Sequence, residues 1–122
     1  MRIKWIFILL FVPIFAFSAA KSKPVKMRGY IVDAACAKDM AGKDNTMQKA
    51  ADHTKKCALE ESCAPSGYGL FSDGKYYKFD AAGDKKAKEL IEKTSKERAI
   101  TAEVTGRKSG DTFVVKSIKE VK

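Results

Sequence analysis

The segment DHTKKCALEESC, Asp52–Cys63, holds the only histidine of a 122-residue chain and two of its three cysteines. His53 stands four residues before Cys57 and ten before Cys63, and Cys36 lies upstream in VDAACAKDM. Thiolates and an imidazole make a sound tetrahedral set for a borderline-soft cation, so Cys36, His53, Cys57 and Cys63 are candidate ligands for zinc or copper. The thioethers of Met40 and Met47 would add soft donors suited to copper(I), although methionines also serve as plain core filling. Donor chemistry argues for a metal more strongly than spacing does. The chain contains no CxxC, and its intervals match no standard zinc finger.

Two other chemistries compete for the same residues. In an oxidising compartment two of three cysteines form a disulfide and leave one thiol over, and the sequence leaves the three pairings open. That alternative is a disulfide-stapled interaction module without metal, whose ligands would meet Tyr30, Tyr76 and Tyr77 on an exposed barrel face. Cys57 with His53 as its base would instead be a nucleophile or a thiol-redox centre. No third orienting residue, oxyanion donor or catalytic carboxylate pair accompanies them, so the balance is against an enzyme. Haem is a poor candidate, because the chain has no C-x-x-C-H attachment motif.

The compartment is read from the N-terminus. MRIKWIFILLFVPIFAFSAA has a basic start, an apolar run from Trp5 to Phe17 and small residues at its end, the pattern of a signal peptide over residues 1–20 cleaved after Ala20. The run is shorter than the ~20 residues that span a bilayer, and Pro13 interrupts it. A periplasmic or secreted protein with no stable membrane span is expected, and the absence of cysteine at the cut argues against a lipid anchor.

Cleavage removes Arg2 and Lys4 and no acid, so the formal charge falls from +9 to +7. The lysines are spread to the C-terminus and mixed with acids, as in KKAKELIEKTSKER, which reads as a solvated face and not as a nucleic-acid surface. An envelope protein or a small ligand is the expected partner, and a monomer the expected state.

The remaining 21–122 have room for one small domain. Val25, Met27, Gly29 and Ile31 alternate with Lys26, Arg28 and Tyr30 as a first strand, with Gly29 free to bend it. YGLFS and KYYKF, joined by Asp73-Gly74, predict a hairpin. An amphipathic helix is expected over Asp84 to Lys96, capped by Asp84 and aided by Glu89/Lys93 and Glu92/Lys96 pairs. Ile100, Ala102, Val104 and Gly106 then set a fourth strand. TFVVKSIKEV gives a fifth, whose phase slips near Lys116 and Ser117 as a bulge would make it.

Three strands, a helix and two strands is the order of a mainly β, OB-like five-stranded barrel. Between its first two strands, residues 34–67 form an insertion that collects every cysteine and the histidine. There TMQKAADHTKKCALEES reads as one helix that sets His53 and Cys57 one turn apart on the same face.

The stretches GYIVDAAC, HTKKCALEESC, SGYGLFSDGKYYKFDAAGDKKA and AEVTGRKSGDTFVVKSI, together covering most of Gly29 to Ile118, resemble a family of small exported bacterial proteins of unknown function. The resemblance implies export and a compact β-rich domain, with the H-x3-C-A-L segment from His53 to Leu59 as its signature. It implies no activity, substrate or cofactor.

Overall fold

A computed structural model describes residues 23–122; the expected signal peptide lies outside them. The five strands are β1 (Val25–Asp33), β2 (Tyr68–Ser72), β3 (Lys75–Phe79), β4 (Thr101–Ser109) and β5 (Thr112–Glu120). Helices α1 (Ala34–Met40), α2 (Thr46–Asp52) and α3 (Lys55–Ala58) lie between β1 and β2, and α4 (Ala81–Lys93) lies between β3 and β4. The result is a mixed sheet in the order β1-β2-β3-β5-β4, with β4 pairing back onto β1. Only β3 and β5 run parallel.

A sheet that returns on itself needs a first strand that bends. β1 pairs with β4 from Val25 to Tyr30 and with β2 from Tyr30 to Asp33, so one strand changes partner at its middle. Gly29 makes this possible, because a Cβ there would land on the Phe71 carbonyl. The β2–β3 hairpin turns at Asp73 and Gly74, with φ of 50° and 80°, the left-handed pair that such turns require. On β5 the register passes from Ser117 opposite Thr105 to Val115 opposite Gly106, which leaves Lys116 as the extra residue where the hydrophobic phase slips.

The interior of the sheet is filled by Ile31, Tyr68, Leu70, Phe79, Val104 and Phe113, and α4 closes it with Ala87 and Ile91. A second cluster lies outside the sheet, where Val32 and Phe71 are covered by Ala37 of α1 and Ala50 of α2. The end of β1 is therefore buried on both faces, which is why Ile31, Val32 and Asp33 break the strand's alternation.

Two helix expectations are corrected. The C-terminal helix is α4, Ala81–Lys93, which begins and ends three residues earlier than the expected Asp84 to Lys96. Asp80, directly after β3, takes the capping role and accepts from the Gly83 N–H at 3.0 Å. Asp84 reaches across to accept from the Tyr68 N–H at 2.8 Å. Lys96, beyond the helix end, donates to the Val121 carbonyl instead of pairing with Glu92.

The single helix expected through His53 and Cys57 is broken in two. His53 and Thr54 adopt extended backbone, with ψ of 128° and 153°, between α2 and α3. Thr54 makes a β-bridge with Arg98, and its side chain caps α3 by accepting from the Cys57 N–H at 3.1 Å. His53 and Cys57 consequently share no helix face. Among the described residues no helix is long and apolar enough to cross a membrane.

Candidate metal centre

The centre is organised by Asp33, a residue that the donor pattern of cysteines and histidine did not include. It is the last residue of β1 and the N-cap of α1, and it is fully buried. Its Oδ2 accepts from the Cys36 N–H at 2.9 Å. Its Oδ1 faces the other way, 2.8 Å from Nε2 of the buried His53. The distance is that of a close ion pair, and the contact helps hold the carboxyl in its charged form. Among the described residues Oδ1 and Nε2 have no hydrogen-bonding group other than each other.

Cys63 is brought to Cys36 by backbone stitching. It precedes a short 3-10 turn, Ala64–Ser66. The Ala34 N–H donates to the Gly67 carbonyl at 2.9 Å and the Ala35 N–H to Ser66 Oγ at 3.0 Å. Ser66 Oγ in turn donates to the Cys63 carbonyl at 2.6 Å. These bonds tie the first turn of α1 to the segment that carries Cys63. One ligand atom each from Asp33, Cys36 and Cys63 lies within 4.8 Å of the others, close enough to hold a metal ion.

Of the four residues picked from the sequence, the structure thus brings Cys36 and Cys63 together. His53 reaches the group through Asp33, and neither it nor Cys57 is within that mutual distance. Cys57 lines a cleft of about 400 Å³ that it shares with Cys36, His53 and Met40. Met47 accepts from the Gly74 N–H and packs on the outer core cluster. All three cysteines are free thiols.

The tyrosines of the alternative reading are engaged with the fold. Tyr76 donates to the Val32 carbonyl at 3.0 Å, with its ring centroid 4.9 Å from that of Phe71. Tyr77 meets Phe113 edge-on and carries the Lys108 ammonium over its ring. Tyr30 packs half-buried against the outer cluster.

Electrostatics divide the two central groups. Burial pushes the Asp33 carboxyl up, but the contact with His53 and the Cys36 N–H outweigh it and hold the carboxyl below its ordinary 3.8. The Cys36 thiol is pushed up to about 12, first by burial and then by the Asp33 charge, with smaller contributions from Cys63. At neutral pH Cys36 therefore keeps its proton, so it is no ready nucleophile, and a cation that binds there must displace the proton.

A sequence signal for Asp33 does exist. An Asp at the exit of a strand, three residues before a cysteine that opens a helix, is an N-cap pattern, and a capping carboxylate is held beside the residue it caps. The chain matches no family model, no curated protein and no solved structure.

Proposed function

We propose that this is an exported metal-binding protein in which an OB-type barrel carries a zinc or copper site in its first connection. The strand order and the position of α4 support the barrel assignment. Asp33, Cys36 and Cys63 supply the ligands, and His53 orients the Asp33 carboxylate as outer partners do in metal sites. The observation that carries this reading is the meeting of one ligand atom each from Asp33, Cys36 and Cys63 within 4.8 Å, with the Asp33 carboxylate fully buried and held 2.8 Å from the His53 imidazole. A mixed sulfur and oxygen set suits zinc, and two thiolates also suit copper(I). The export signal and the resemblance to small exported bacterial proteins support a periplasmic or secreted location.

The test is native mass spectrometry of the protein isolated without chelator, with thiols counted by alkylation after denaturation. One bound metal ion and three alkylatable thiols are expected. A chain that takes up neither zinc nor copper(I) while all three thiols are reduced would overturn the reading.

A further inference from the structure

We propose that Cys36 and Cys63 are a reversible dithiol switch that gates the metal site, so that thiol–disulfide exchange releases the ion. The inference rests on the metal reading above and adds its regulation. The two sulfurs belong to one group within 4.8 Å, and the segments that carry them are already joined by the Ala34–Gly67 and Ala35–Ser66 hydrogen bonds. Bridging them therefore requires side-chain rotation with little backbone movement. Both thiols are half-buried, open enough for a small reagent to reach. Cys57 stands outside this group, and its chain segment is held separately by Thr54 and by the Lys55–Glu97 backbone bond. The switch thus has one pair and one spectator thiol.

The co-reactant is a disulfide, either a small molecule or a partner protein with an exchangeable bridge. Its S–S bond breaks as one thiolate of the metal-loaded site, whose proton the ion has already displaced, attacks it. The other thiolate then displaces the mixed disulfide, forming the Cys36–Cys63 bond. Two electrons pass from the site sulfurs to the two sulfurs of the reagent, which leave as thiolates. The divalent ion, stripped of both sulfur ligands and left with Asp33 alone, departs with the charge that the thiolates had balanced. Reduction by a dithiol reverses the sequence.

The experiment has two arms on the purified protein. In the first, the reduced protein is titrated with zinc; failure to bind one equivalent overturns the metal reading and the switch with it. In the second, the zinc-loaded protein is treated with oxidised glutathione while released zinc is followed with a chromophoric chelator and thiols are mapped by alkylation. One zinc is expected to leave for every two thiols lost, with Cys57 the one residue still alkylated and zinc affinity reduced at least a hundredfold. Cys57→Ser should behave like the parent, and Cys36→Ser should form no internal bridge. Zinc retained after the thiols are lost, a bridge that includes Cys57, or stable glutathione adducts on both sulfurs would overturn the switch and leave the metal reading standing.

Discussion

Replacing Asp33 with alanine removes two things at once from a fully buried position. The Oδ2 cap on the Cys36 N–H is lost, at about 1 kcal/mol for a helix N-cap. The His53 imidazole, itself buried, loses the carboxylate 2.8 Å away, and a buried polar group left without a partner costs about 1–3 kcal/mol. The sum is roughly 2–4 kcal/mol, which for a domain of this size lowers the melting temperature by roughly 8–30 °C. Asp33→Asn keeps the shape and a capping oxygen and should cost less than half as much. The assay is thermal unfolding of the reduced, metal-free protein by circular dichroism, run as a double-mutant cycle with His53→Ala. Because the two residues touch, the cycle should show a coupling of about 1–3 kcal/mol. An Asp33→Ala cost under about 1 kcal/mol, or additive single changes, would refute the idea that this pair organises the centre.

Three further outcomes follow from the same geometry. Since the folded Asp33 carboxyl lies below the ordinary 3.8, its stabilisation is full above that value and is lost as pH falls through the lowered one. Urea midpoints should therefore drop more steeply below pH 4 for the parent than for Asp33→Asn, and parallel curves would contradict this. With its thiol pushed up to about 12, native Cys36 should react with iodoacetamide at pH 8 far more slowly than it does in denaturant; equal rates would count against its burial beside Asp33. Gly29→Ala should cost about 3 kcal/mol or prevent folding, because its Cβ would meet the Phe71 carbonyl. Gly110→Ala, in open space at φ +59°, should cost only about 1 kcal/mol, and similar urea midpoints for the two variants would show that β1 has room to relax.

The strands were legible because each has a period and a punctuation. The alternation of Val25 to Ile31, the Asp73-Gly74 turn and the phase slip before Ile118 are all local signals, and each corresponds to a feature of the sheet. The helix through His53 was misread for the opposite reason. Helical spacing continues through Asp52–Cys57, and what interrupts it is a distant residue, Arg98, bridging Thr54. Asp84 likewise looked like a cap until Asp80 proved nearer to the strand end and Tyr68 offered Asp84 a different donor.

For the site, the cysteines and histidine stood out by rarity, whereas Asp33 is one acid among many. Its role comes from the burial of both faces of β1, and that depends on where the helical insertion folds back. Cys57 carried the right chemistry at the wrong place. The broken helix sets it on the rim of the cleft, outside the group that Asp33, Cys36 and Cys63 form.

X-ray absorption at the zinc edge on the zinc-loaded, reduced protein would read the ligand set itself. Two sulfur neighbours at about 2.3 Å and two nitrogen or oxygen neighbours at about 2.0–2.1 Å are expected, with the spectrum unchanged in Cys57→Ser. Three sulfur neighbours, or a spectrum that changes when Cys57 is replaced, would contradict the assignment of Asp33, Cys36 and Cys63 as the ligands.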